Sequence, residues 1–211
     1  MESMADHWWW RPGWRVGRSF WTWHVTFAAQ PGVQALVDAY APCFDGLGGL
    51  DPVPVEWLHL TMQGLGFTDE VEHTDVDAIV LAARRRFAEV APFAVTVGPA
   101  GLDPETVHLP VRPAEPLIET RSVLRSAIND VWDHVPERAD GWRPHVTLAY
   151  SNVSGPAEPI ADRLAAHGAH IAEVTVSALS LIELNRDHRQ YEWTDVATVG
   201  LTGSRSDMAT E

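Results

Sequence analysis

Three His-x-Thr triplets carry the residue types that could do chemistry in this chain: His24-Val25-Thr26, His59-Leu60-Thr61 and His145-Val146-Thr147. An imidazole exchanges protons near neutrality, and a threonine hydroxyl can donate to a non-bridging phosphate oxygen. Together they suit phosphoester chemistry. In-line displacement at phosphorus needs a base and an acid on opposite sides, and two His–Thr pairs on facing strands would supply both without a metal. One triplet is weak evidence, since so short a spelling arises by chance. All three, however, lie in runs of strand character, where residues i and i+2 share a face.

Alternation then sorts each run. Thr22, His24 and Thr26 share a face opposite Trp21, Trp23, Val25 and Phe27. Trp57, His59, Thr61 and Gln63 share a face opposite Leu58, Leu60 and Met62. Arg143, His145 and Thr147 share a face opposite Val146, Leu148 and Tyr150. A polar face of this kind is costly unless it lines a wet cleft. His24, Trp57, Arg143 and Tyr150 are the substrate-binding candidates. Arg143 is expected either to meet phosphate or to form a surface ion pair. His24 is expected to line the groove or to be structural.

The elements that would position these strands alternate in type. Strands are expected over about 19–28, 54–63, 92–98, 105–112 and 143–151, with two more near 172–185 and 190–200. Helices are expected over 31–44, 74–90, 114–135 and 156–167. The 74–90 helix has Val76, Ile79, Val80, Ala83, Phe87 and Val90 on one stripe, with Arg84, Arg85 and Arg86 on a solvated face. In the 114–135 helix Leu117, Arg121, Leu124, Ile128, Val131 and Val135 form the inner line, Arg121 near its margin. Gly64–Asp69 reads as a turn. The two halves look like weak copies, each with a helix leading to a His-x-Thr strand and then another helix. This order suits an α+β fold with sheets inside and helices outside.

Of the 211 residues, 45 % are hydrophobic and 21 % charged, an ordinary globular balance. The net charge of −14 opposes a duplex-binding surface, although a small phosphorylated ligand in a local pocket stays compatible. Every cationic residue is Arg, so an anion contact would be fork-shaped. With Cys43 as the only cysteine and no apolar span, the chain is expected to be soluble and cytoplasmic, without an intrachain disulfide or a membrane partner. Metal-ligand runs such as His-x-x-x-His or Cys-x-x-Cys are absent, so no metal or other cofactor is expected. His73, His108, His134, His167, His170 and His188 are expected to be exposed or capping. Six of the ten Trp and Arg11, Arg15 and Arg18 crowd into the first 23 residues. They read as a flap covering an apolar face or as a platform where a base stacks while Arg meets phosphate.

"LHLTMQGLG" and "WRPHVTLAY", with Gly66 after the first motif and Pro144 before the second histidine, resemble the paired motifs of the 2H phosphoesterase superfamily. The LigT-like branch, the RNA 2′-5′ ligase / 2′,3′-cyclic phosphodiesterase proteins, is the nearest in pattern. The resemblance covers about residues 18–200. It implies a bilobal, pseudo-two-fold fold with antiparallel sheets lining a central cleft. It also implies metal-independent cleavage or formation of a 2′,3′-cyclic or 2′-5′ phosphodiester in a nucleotide or RNA end. His59 and His145 would be the acid/base pair, in either order, and Thr61 and Thr147 the phosphate-binding hydroxyls. The expected division is a leader over 1–18, one bilobal domain over 19–202 and a flexible tail over 203–211. The Trp/Arg leader and Met62-Gln63 depart from the family pattern. A nucleotide or RNA-end sensor with the same fold but no turnover is the alternative.

Overall fold

β-Branched and aromatic residues make strands of the motif segments, and their alternation buries one side of each. The computed structural model describes residues 3–204. In chain order the elements are β1 (Ser3–Met4), β2 (Phe20–Thr26), α1 (Pro31–Phe44), β3 (Leu50–Pro52), a 3₁₀ turn (Val55–Trp57) and β4 (His59–Phe67). Next come α2 (His73–Phe87), β5 (Phe93–Val97), β6 (Gly101–Asp103), β7 (Thr106–Arg112) and α3 (Glu115–Asn129). The chain closes with β8 (His145–Ser151), β9 (Gly155–Pro156), α4 (Glu158–His167), β10 (Ala172–Val176), β11 (Ala178–Asn185) and β12 (Glu192–Gly200).

Two antiparallel sheets result. One runs β12-β11-β2-β4, and the other runs β10-β5-β7-β8-β3 with β6 added beside β7. They meet along β4 and β8, the two motif strands. Helices α2 and α3 pack together against the first sheet, while α1 and α4 pack together on the second. The chain therefore repeats a unit, β2-α1-β4-α2-β5 and then β7-α3-β8-α4-β11 with β10 added before its last strand, in which the first helix and the last strand of each unit cross to the other lobe. Leu58, Leu60 and Met62 are buried under β4, as are Val146 and Leu148 under β8.

Three expectations change. The segment expected to turn at Gly64 stays extended, because Gly64 and Gly66 pair with Thr22 and Trp21. Helix α3 stops at Asn129 rather than 135. Val135 precedes Pro136, which disfavours helical backbone there, and the Trp132 indole N–H donates to Asp75 at 2.8 Å, drawing the loop onto α2. Arg121 is not marginal but 4 % exposed. Arg84, Arg85 and Arg86 lie on the exposed face of α2. The leader folds back through β1, which pairs with β9. Of the expected tail, Gly203 donates its N–H to the Val90 carbonyl at 2.9 Å, and residues 205–211 lie outside the described residues.

Candidate active site

β4 and β8 bring His59, Thr61, His145 and Thr147 to one cleft of about 630 Å³, which His24 and Tyr150 also line. Each motif imidazole is held by the carbonyl two residues before it. His59 Nδ1 lies 2.8 Å from the Trp57 carbonyl and His145 Nδ1 lies 3.0 Å from that of Arg143. A carbonyl only accepts, so Nδ1 carries the hydrogen and Nε2 is left to exchange protons. Burial pushes His59 down to about 4; the Trp57 carbonyl opposes this and the charge of His145 adds to it. Trp57 and Arg143 thus contribute backbone, and their side chains lie outside the cleft lining. These two expected substrate-binding side chains are therefore not brought to the cleft lining with the four motif residues, His24 and Tyr150. The Trp57 ring packs edge-on against Trp193, and Arg143 is exposed.

The pairing registers explain what alternation missed. On β4, Gln63 pairs with Trp23 and Thr61 with His24, so Met62 is an extra, bulged residue. On β8, Ala149 pairs with Val107 and Thr147 with His108, so Leu148 is bulged in the same way. A bulge resets which face the following residues use. Tyr150, opposite His145 by strict alternation, therefore turns into the cleft, where burial pushes its hydroxyl pKa well up. Gln63 turns the other way, out of the lining and into complete burial, and Gly64 takes the position equivalent to Tyr150.

The same registers pair a second histidine with each motif threonine. His24 Nε2 lies 3.3 Å from Thr61 Oγ1, and its ring stacks on His59 at 4.3 Å and 6°. Burial, with the charge of His59, holds His24 well below its usual range. His108 sits opposite Thr147, with its ring edge-on to His145 at 5.9 Å. The sequence placed it among the exposed or capping histidines, whereas it is half-buried against the motif strand. Its position follows only from strand register, and no local signal marks it. Trp193, edge-on to both His24 and His59, was also missed.

The leader builds part of the cleft rim. His7, absent from the sequence-based candidates, packs on Tyr150 at 4.2 Å and contacts Glu105 and Tyr191 at 2.9 Å each. Burial, with Arg11 close by, pushes it down to about 4. Trp8 covers Tyr150 and Tyr191, Trp14 lines the cleft, and Trp9 and Trp10 are about half exposed. The leader arginines bind carboxylates: Arg11 meets Glu105 at 2.5 Å, Arg15 meets Asp69 at 3.0 Å, and Arg18 meets Asp69 and Glu70. Among the described residues lining the cleft there is no arginine, whereas Asp103, Glu105 and Glu137 all line it. No group of three His, Cys, Asp or Glu side chains among the described residues is disposed to hold a metal ion. No described helix is long and apolar enough to cross a membrane.

Comparison with solved structures shows the same fold. TT0787 of Thermus thermophilus superposes with a TM-score of 0.70 at 20 % identity, covering 88 % of this chain and 100 % of its own. E. coli LigT complexed with 3′-AMP gives 0.62 at 22 %, covering 88 % and 98 %. The MHV ns2 PDE domain gives 0.56 at 12 %, covering 79 % and 99 %. No curated protein matches the chain by sequence. The family model of the 2′-5′ RNA ligase superfamily matches residues 28–188, a span that holds both motif strands, the whole second sheet and β4 and β11 of the first. The chain belongs to the 2′-5′ RNA ligase superfamily and has the LigT-like 2H phosphoesterase fold.

Proposed function

We propose that this protein is a metal-independent phosphoesterase that opens, and in reverse forms, a 2′,3′-cyclic or 2′-5′ phosphodiester at a nucleotide or RNA end. One observation carries the reading: two imidazoles from different lobes face one cleft, each with Nδ1 held by a carbonyl and a threonine two residues on. In hydrolysis His59 Nε2, kept neutral by burial, takes a proton from water as the water oxygen bonds to phosphorus. The bond from phosphorus to one ribose oxygen breaks, and His145 Nε2 gives that oxygen a proton. Proton return between the imidazoles through solvent restores the start. Thr61 and Thr147 donate to the non-bridging oxygens. His24 Nε2–H donating to Thr61 Oγ1 leaves the Thr61 hydrogen free for phosphate.

Phosphorus NMR of the four 2′,3′-cyclic nucleotides in EDTA tests this. Wild type should give one phosphomonoester product, and His59→Ala and His145→Ala should each lose about 10²–10⁴-fold in rate. Turnover unchanged in both variants, or absent in wild type, overturns the proposal.

A further inference from the structure

A cleft proposed to take a phosphate ester is lined by three carboxylates and no arginine. Two of the three are accounted for nearby. Glu105 is raised by burial but held lower overall by Trp9, Arg11 and His7, and Asp103 lies 3.3 Å from His108. Glu137 has a more distant partner, Arg121 Nη2 at 3.9 Å from its Oε2, and an unusual backbone. It sits in the left-handed region at φ 61°, a conformation that persists in a non-glycine residue only where the surroundings impose it.

Those surroundings are built from the interior. Arg121 donates to the Ala139 and Arg138 carbonyls at 3.0 and 3.1 Å. Arg125 donates to the Pro136 and Glu137 carbonyls at 3.2 Å each. Gln63, fully buried and turned inward by the Met62 bulge, donates to the Pro136 carbonyl at 2.6 Å and accepts from Arg125 at 2.6 Å. Gln63 also donates to Glu137 Oε2 at 3.2 Å, and the Gly64 N–H approaches that oxygen at 3.4 Å. Oε1 accepts no hydrogen bond from the described residues. It stands over Gly64, where a Cβ would lie 2.6 Å from it and 2.8 Å from the Phe20 ring.

The carboxylate thus fills, in the first lobe, the place that Tyr150 fills in the second. Beside it the wall is aromatic: the Phe20 and Trp14 rings are 5.9 Å apart, tilted by 30°, and both line the cleft. Thr61 and Gly64 pair with His24 and Thr22, two residues apart on β2, so with the Met62 bulge between them they lie roughly 7 Å apart along the sheet. A ribose and base attached to a phosphate at Thr61 span that distance. A base on this wall would turn its edge to Glu137 Oε1. A carboxylate accepts hydrogen bonds and repels carbonyl oxygens. Guanine presents an imino and an amino N–H side by side. Adenine and cytosine present one amino group beside a ring acceptor, and uracil presents carbonyls on both sides of its imino group.

We propose that Glu137, with Phe20 and Trp14, forms a base-selecting subsite that favours guanine and rejects uracil. This rests on the cleft's taking a nucleoside phosphate, as proposed above; Trp14 comes from the leader, and Gln63 fastens the loop that carries Glu137. The test is calorimetric binding of 3′-GMP and 3′-UMP to wild-type protein and Glu137→Gln, with turnover of the matching 2′,3′-cyclic nucleotides. Wild type should bind 3′-GMP about 10- to 100-fold more tightly, the range expected of a hydrogen bond to a charged group. Glu137→Gln should bring the two within about threefold, with an unchanged melting temperature showing that the loop survives. Trp14→Ala should weaken both nucleotides and keep the ratio. Equal binding by wild type, or a preference unaltered in Glu137→Gln, overturns this proposal while leaving the catalytic reading intact. Guanine preference without turnover supports the subsite and overturns the catalytic reading, and failure of both nucleotides to bind overturns the subsite, while absence of turnover as well overturns both.

Discussion

His59 and His145 carry the same Nδ1 contact, and on the proposed mechanism His59 is the base. Burial lowers His59 to about 4, so the neutral base form persists far below the usual imidazole range near 6.5. The acid limb of kcat/KM should therefore fall near pH 4; a limb near pH 6.5 in a rate profile with 2′,3′-cyclic nucleotides would contradict His59 as the base. On the proposed mechanism His24 acts one step back, through the Thr61 hydroxyl 3.3 Å from its Nε2. His24→Phe keeps a ring against His59 but removes the nitrogen. It should lower kcat roughly tenfold, as loss of one hydrogen bond implies, with KM nearly constant. A change confined to KM, or none at all, would make His24 a packing residue.

Between the strands and the loops, Arg121 ties β4 to the segment before β8. Its Nε donates at 2.7 Å to the carbonyl of the bulged Met62, and its two terminal nitrogens hold the 138–139 backbone. The bulge that aims Thr61 and the loop that carries Glu137 are therefore fastened by one planar guanidinium. Arg121→Met leaves three carbonyls without that donor and should cost about 3 kcal/mol in urea unfolding. Arg121→Lys should recover little of it, because a single ammonium cannot span the fork. Full recovery by Lys would show that charge, rather than geometry, is what the site needs.

Across the whole molecule the leader and the histidines couple stability to pH. His7 is lowered to about 4 and His24 well below its ordinary value, both chiefly by burial, so each binds a proton more readily unfolded than folded. Their contribution is complete above the unfolded value near 6.5 and is lost as pH falls through the folded values. Each steepens the stability curve by up to about 1.4 kcal/mol per pH unit over that window. Denaturant midpoints at pH 7, 6, 5 and 4.5 should fall progressively, and His7→Gln should flatten the curve. A chain starting at residue 18 uncovers Tyr150, Tyr191 and the Arg186 guanidinium, which donates to the His7 carbonyl at 3.2 Å. Its melting temperature should drop by roughly 10 °C, the shift expected for several kcal/mol in a domain of this size. An unchanged melting temperature would show the leader to be an appendage.

Local periodicity was enough to read the motif strands, the apolar stripes of α2 and α3 and the α+β class, because a strand or an amphipathic helix is written in residues a few positions apart. Leu58, Leu60 and Met62 needed nothing further to be assigned to the core. Tyr150, Gln63, His108 and Glu137 could not be placed that way. Tyr150 and Gln63 change face at bulges that exist only once β8 meets β7 and β4 meets β2. His108 meets His145 through the register of two strands nearly forty residues apart in the chain, and Glu137 reaches the cleft because Arg121, Arg125 and Gln63 bend its loop. Spacing along the chain encodes which way a side chain points from its own element. Which side chains then meet depends on pairings between distant segments, and those are decided only when the two lobes close on one another.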